Sequence, residues 1–215
     1  MRPTWQTAGV FFSLAFIISG CAISHVNYLP PEPTKQTAAT ITVKKSADDI
    51  WQSAISTLGS NFFVINNLEK DSGFINVSYS ADPEKYCDCG VYNTDYSFQL
   101  TEKLTFQGAK SRQDYWTVIP WPDRRCVKNR RTMALDGRIN ILIKDRSASE
   151  CDILVNSRYQ VTESIQSRIV DNTLYRSDSE TIVFDSGGRG EFSSGTVCRP
   201  NGRLEKELLE LLSGL

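Results

Sequence analysis

The chain has 215 residues and a formal net charge of −1, with 24 Lys and Arg against 25 Asp and Glu. This length suffices for one good-sized domain with a tether. The balance of charge argues against a nucleic-acid-binding protein, because such proteins carry a marked basic excess.

The N-terminal segment has the features of a secretory signal. Arg2 precedes an uncharged apolar run over residues 8–18, which is too short to span about 30 Å of hydrocarbon as a helix. The run ends at Ile18-Ser19-Gly20-Cys21. An ordinary signal peptide with a chance cysteine, or an uncleaved anchor, are the alternatives to a more specific interpretation.

Those four residues resemble the lipobox of bacterial lipoproteins, in which an aliphatic residue and two small ones precede a cysteine. The resemblance implies that residues 1–20 are a signal peptide and that Cys21 becomes the lipidated N-terminus. Each buried CH₂ of an acyl chain contributes about 0.8 kcal/mol, so several chains hold a protein firmly at a membrane. Ala22, in place of an aspartate, implies sorting to the outer membrane, with the domain facing the periplasm.

Residues 21–40 are predicted to be a proline-rich tether, and residues 41–215 a single domain. Pro30, Pro31 and Pro33 favour an extended, semi-rigid spacer. His25 is the only histidine and lies in this segment, so we expect a solvated side chain rather than a catalyst or ligand.

The domain begins with a short strand and an amphipathic helix. The helix is predicted to start after Ser46 as N-cap and to end at Gly59, with one apolar face that includes Trp51. Alternating apolar residues then indicate antiparallel strands. The predicted strands cover residues 41–43, 62–68, 74–79, 96–106, 133–144, 151–161, 181–184 and 196–198, with an irregular strand within 163–180. A leucine-rich helix over residues 203–212 ends the domain.

This order predicts an α+β fold, in which a curved antiparallel sheet packs against an N-terminal and a C-terminal helix. It resembles the helix-grip arrangement of a lipoprotein in the outer-membrane β-barrel assembly machine. Ala47-Asp-Asp-Ile50-Trp51 and Ser72-Gly73-Phe74-Ile75 carry that resemblance. The segment from Cys198 to Leu209 resembles the end of small uncharacterised bacterial lipoproteins. Both matches are short, and they support a fold more than a function.

Six cysteines are present, and five remain if Cys21 is acylated. Disulfides form and persist in the oxidising periplasm, so two bridges are expected. We predict a Cys151–Cys198 bond, because one antiparallel strand starts beside the end of its neighbour. Cys126 is predicted to pair with Cys87 or Cys89. The alternative for these three is a thiolate site for a soft metal, but the compartment favours disulfides, so no cofactor is predicted.

An aromatic and basic segment is the candidate partner-binding surface. Tryptophan and arginine are enriched in interface hot spots, and cations also attract anionic headgroups. The alternative is a solvated loop before a strand. The predicted binding residues are Trp116, Trp121, Arg124, Arg125, Lys128, Arg130 and Arg131.

No catalytic set is recognisable in the sequence. His25 lies in the predicted tether, so a histidine-based triad has no candidate, and Gly187–Gly190 lacks the spacing of a phosphate-binding loop. We therefore predict a non-enzymatic accessory or scaffold in cell-envelope assembly, bound to the membrane by lipid and to an envelope protein, with oligomeric state left open. One alternative is a binding module for a lipid or other apolar ligand, held in a pocket between helix and sheet. A third interpretation is an enzyme that uses carboxylates alone.

Overall fold

The computed structural model describes residues 22–33, 39–61, 63–98, 101–120 and 122–214. Of these, 59% lie in strands and 16% in helices. The strands are β1 (Ile23–Leu29), β2 (Ala39–Val43), β3 (Val64–Glu69), β4 (Phe74–Ala81), β5 (Cys87–Asp88), β6 (Val91–Ser97), β7 (Thr101–Gln107), β8 (Arg112–Val118), β9 (Cys126–Ser147), β10 (Glu150–Ile169), β11 (Leu174–Asp185), β12 (Gly190–Glu191) and β13 (Val197–Pro200). The helices are α1 (Ala47–Ser60), α2 (Pro83–Tyr86) and α3 (Arg203–Ser213).

The long hairpin of β9 and β10 is the centre of a seven-stranded antiparallel sheet. The two strands pair from Val127↔Ile169 to Ser147↔Glu150. Along the edge of β9 that faces away from β10, β8 pairs with the first part of the strand and β4 with the second part. β3 in turn pairs with β4. On the open side of β10, β2 pairs with the first residues and β11 with the rest. Each end of the hairpin therefore has its own neighbours.

A three-stranded sheet of β1, β6 and β7 packs beside β8. β1 pairs with β6 over its whole length, and the Val118 amide donates to Ser24 Oγ at 2.8 Å. Residues 23–29, predicted as part of a tether, are thus a strand, in which His25 is exposed. A third, small sheet has the order β12-β13-β5.

The core lies where α1 and α3 pack against the half of the β9–β10 hairpin that is nearer its turn. Apolar residues alternate along β9 and β10, and Ile139, Ile141 and Tyr159 have no exposed surface. Leu58 of α1 and Leu208 of α3 belong to the same buried cluster. Ser46 caps α1 by accepting from the Asp49 amide, as predicted, but the helix continues past Gly59 to Ser60.

The predicted α+β helix-grip-like fold is wrong, because the described residues are mostly β and their strands form three sheets. Residues 23–29, interpreted as part of a tether, form β1, and the segment 163–180, interpreted as containing an irregular strand, contains the end of β10 and the first part of β11. Leu174 to Ser179 in β11 are all exposed, so pairing with β10, rather than burial of alternate side chains, accounts for that part of the strand. No helix in the described ranges has the length and apolarity needed to cross a membrane.

Candidate partner-binding groove

The structure brings three of the predicted binding residues together on one face of β8, β9 and β10. Trp116 pairs with Lys128, and Lys128 with Arg168. In the next row, Asp114 pairs with Arg130 and Arg130 with Gln166. Directly opposed residues on neighbouring strands project from the same face. The side chains line a groove of about 440 Å³, which we call the basic groove: Asp114, Trp116, Lys128, Arg130, Gln166 and Arg168.

One carboxylate organises the cations of the basic groove. Asp114 lies 3.2 Å from Arg130 Nε, 3.5 Å from Lys128 Nζ and 3.8 Å from Arg112 Nε. Partial burial opposes ionisation of Asp114, but the Arg130 hydrogen bond and the three positive charges outweigh it and lower the pKa of this carboxyl. Arg168 adds another cation, so the groove keeps a net positive charge when the negative charge of Asp114 is included.

An aromatic and apolar wall borders these charges. The half-buried Trp116 stacks on Tyr96 with ring centroids 5.8 Å apart. Val170 at the end of the groove is 74% exposed. The Tyr96 contact fixes the indole in one orientation, so less side-chain entropy is lost when a partner binds against it.

Arg131, predicted to belong to this surface, is instead buried behind it. Its side chain is 1% exposed, and Nε lies 2.6 Å from Glu163 Oε1. Nη1 donates to the Gly108 carbonyl at 2.6 Å, and the guanidinium lies 5.2 Å from the Tyr92 ring centroid. Successive residues of a strand point to opposite faces, so Arg131 shares its direction with Met133 rather than with Arg130.

Arg124 and Arg125 are exposed in the turn that joins β8 to β9. The turn is closed by the Ile119 amide, which donates to the Arg125 carbonyl at 2.8 Å. Hydrogen bonds from Thr173 lower the pKa of Asp171, and the positive charge of Arg125 contributes. The two arginines therefore extend the basic surface to the tip of the β8–β9 hairpin, close to the β10–β11 turn. Trp121 and Cys21 lie outside the described residues.

The disulfide joins Cys89 to Cys198, so both predicted pairings are wrong. Cys198 lies in β13, which pairs with β5 immediately before Cys89. Cys151 lies at the start of β10, where it pairs with Asp145 of β9 and Val43 of β2. Cys87, Cys126 and Cys151 are buried thiols. No group of potential metal ligands occurs among the described residues.

The Cys87 thiol is poorly suited to reaction. Burial raises the pKa of this thiol to about 12, and the charge of Glu205 adds to the effect. A thiol needs to ionise before it acts as a nucleophile or a metal ligand. The Cys87 side chain therefore belongs to the packed core rather than to a chemical site.

Sequence reasoning missed Arg112, Asp114 and Arg168. Arg168 enters the groove through the pairing of β9 with β10, which places it opposite Lys128, beyond the ends of the strands predicted over residues 133–144 and 151–161. The pairing of β8 with β9 brings in Arg112 and Asp114. The sequence pattern gives neither register. No protein-family model matches the chain, and no curated protein shows significant similarity to it.

Proposed function

We propose that this protein is a lipid-anchored accessory or scaffold of the outer membrane, and that its periplasmic domain binds an acidic segment of an envelope partner in the basic groove. The observation that carries the proposal is the juxtaposition of Lys128, Arg130 and Arg168 with the stacked Trp116 on one sheet face. Complementary charges accelerate and orient association, and a rigid aromatic side chain supplies buried contact area.

The charge balance of the groove favours an acidic partner. Asp114 already holds three cations around it, which keeps their charged heads close together. A carboxylate of the partner can bind the same cations, because their positive charge exceeds the negative charge of Asp114. These charges are exposed, so their attraction is screened over about 8 Å at physiological salt, and binding should weaken as salt is raised.

The alternative of an apolar ligand between terminal helix and sheet receives less support. The inward face of α3 carries Leu204, Leu208 and Leu212, each at most 3% exposed. Beneath them, Tyr159 donates its hydroxyl to Glu205 at 2.8 Å. Side chains of the protein itself occupy the space that such a ligand would need.

The anchor part of the proposal is supported by the Ile18-Ser19-Gly20-Cys21 motif. β1 begins only two residues after Cys21, so acyl chains there would hold the three-stranded sheet close to the bilayer. Cys21→Ser should release the protein from the membrane fraction or leave it unprocessed, and wild type should incorporate labelled palmitate. Equal processing and retention of the variant, with no label in wild type, would contradict the anchor.

The docking part is tested by affinity purification from crosslinked membranes. Lys128→Gln combined with Arg130→Gln should reduce capture of the envelope partner, and raised salt should reduce capture by wild type. Lys103→Gln combined with Lys206→Gln is the matched control, because both lysines are exposed and lie outside the groove. Equal capture by both double variants at every salt concentration would refute docking through the groove and leave the anchor unaffected.

A further inference from the structure

A second concave site lies on the opposite face of the strands that carry the basic groove. Its floor is formed by odd-numbered residues of β8, β9 and β10, whereas the groove uses even-numbered ones apart from Ile169 at the end of β10. β1, β11 and residues 193–194 form the remaining walls, and the cleft encloses about 380 Å³. That volume falls in the lower part of the roughly 300–1,000 Å³ range of small-molecule sites.

The floor is a chain of polar side chains with unused hydrogen-bonding capacity. Ser167 Oγ donates to Asn129 Oδ1 at 2.6 Å, and Asn129 Nδ2 donates to Thr117 Oγ1 at 2.8 Å. Asn129 and Ser167 are each 6% exposed. An amide offers two donors and two acceptor positions, and a hydroxyl donates once and accepts twice. The bonds within the chain use only part of this capacity, so the floor can bind groups that both donate and accept.

The carboxylates along the cleft already have ion-pair or hydrogen-bond partners. Glu163 pairs with the buried Arg131, and its Oε2 accepts from the Ser194 hydroxyl at 2.9 Å. Arg176 pairs with Asp178, and Glu180 accepts from the Ser193 amide at 2.9 Å. An anionic ligand would be repelled by the three carboxylates, Glu163, Asp178 and Glu180. A cationic ligand would have to compete with the donors that these carboxylates already bind.

Apolar surface complements this polar floor. Tyr115 and Ile165 line the cleft beside the floor, and Val26 of β1 lines it from the neighbouring sheet. Tyr115 is held against Phe106, with ring centroids 5.7 Å apart. A fully apolar ligand would cover these surfaces but would strip water from Asn129 and Ser167 without replacing its hydrogen bonds.

We propose that this cleft binds a neutral saccharide. A sugar ring presents hydroxyls that donate and accept along its edge, which match Thr117, Asn129 and Ser167. Its C–H face is apolar and matches Tyr115 and Ile165. No residue of the floor belongs to the basic groove, so the proposal stands independently of the partner-docking function.

The test is isothermal titration of the purified protein with two neutral probes, cellotetraose and chitotetraose. We expect saturable binding of at least one of them. Ser167→Ala and Thr117→Val should each weaken it by about 2- to 10-fold, the range that corresponds to one lost hydrogen bond. Thermal unfolding of each variant checks that the domain remains folded.

Two controls make the result decisive. Thr162→Val removes a hydroxyl from the other face of β10, where Thr162 hydrogen-bonds Thr181, and should leave affinity unchanged. Lys128→Gln combined with Arg130→Gln should also leave it unchanged. The proposal is overturned if neither sugar binds, if Ser167→Ala and Thr117→Val bind as wild type does, or if sodium dodecanoate binds the cleft in their place.

Discussion

Arg130 and Arg131 are adjacent in sequence and have opposite environments. Arg130 projects into solvent beside Asp114, whereas Arg131 is 1% exposed and held by Glu163 and the Gly108 carbonyl. Strand geometry causes this separation, because neighbouring side chains leave a strand on opposite faces. The burial of Arg131 depends on Glu163, since an unpaired charge is strongly disfavoured in the interior.

Removing one member of the buried pair should therefore destabilise the domain. Arg131→Met leaves Glu163 charged and without its guanidinium partner, and we expect a loss of about 3–5 kcal/mol in the free energy of unfolding. Adding Glu163→Gln to Arg131→Met should recover part of this loss, because the uncompensated charge is then absent. Urea unfolding measures both variants.

Arg130→Gln is the matched control at the neighbouring position. Its ion pair with Asp114 is exposed, and such pairs contribute about 0–1 kcal/mol. A comparable loss for Arg130→Gln and Arg131→Met would show that Arg131 is not buried in a compensated pair.

At the scale of elements, the β6–β7 hairpin shows how a correct pattern can give a wrong element. The apolar alternation from Tyr96 to Phe106 predicts one long strand, but Ser97 pairs with Thr101, so the chain reverses between them. Paired residues such as Tyr92 and Phe106 have the same parity, so β6 and β7 show the same alternation of buried and exposed side chains. Periodicity therefore reports which face is buried, and does not report where the chain reverses.

Gly137 in the middle of β9 marks a close approach between elements. A Cβ there would lie 2.5 Å from the Arg158 carbonyl oxygen and 2.5 Å from Tyr79 Cε1. Gly137→Ala should therefore lower the free energy of unfolding by about 1–3 kcal/mol, the usual effect of overpacking. Thermal or urea unfolding measures the change.

Gly59 provides the opposite case within α1. A Cβ at Gly59 would meet no atom within 4 Å, and alanine is the better helix former. Gly59→Ala should stabilise the protein by about 0.5–1 kcal/mol. Destabilisation by Gly59→Ala, or no effect of Gly137→Ala, would contradict the packing described around these two positions.

For the whole molecule, the Cys89–Cys198 bond links segments that are 109 residues apart. It fastens β13, and with it the start of α3, to the segment that follows β5. The enclosed chain includes the whole β9–β10 hairpin. The bond therefore restricts the unfolded chain over about half of the sequence.

Replacing both cysteines should destabilise the domain markedly. For a loop of about 100 residues, the chain-entropy relation gives roughly 4.7 kcal/mol, so Cys89→Ala with Cys198→Ala should lower the free energy of unfolding by about 4–5 kcal/mol. A reducing agent should destabilise wild type to a similar degree and leave the double variant unchanged. Non-reducing peptide mapping should recover Cys87, Cys126 and Cys151 as thiols after unfolding, and any other linkage would contradict the arrangement of β5 and β13.

Three residues of the basic groove can be predicted from the sequence, but the complete set cannot. Residue type points to Trp116, Lys128 and Arg130, and the alternation of side chains along a strand excludes Arg131 from their face. Asp114 and Arg112 enter the groove through the pairing of β8 with β9. The Cys198 partner was missed because its strand, β13, pairs with a two-residue strand that has too few residues to show a pattern.

Local pattern is enough to predict α1 and its N-cap, the alternation of β9 and β10, and the apolar stripe of α3, because each is a periodicity among residues close in the chain. The division of the described strands into three sheets, the strand character of residues 23–29, the disulfide partner of Cys198 and the side-by-side arrangement of β8, β9 and β10 become visible only in the folded chain. These depend on strands that are far apart in sequence, and backbone hydrogen bonding between strands is nearly independent of side-chain identity. Local pattern therefore specifies the element and its buried face, whereas the choice among possible neighbours is made by packing of the whole chain.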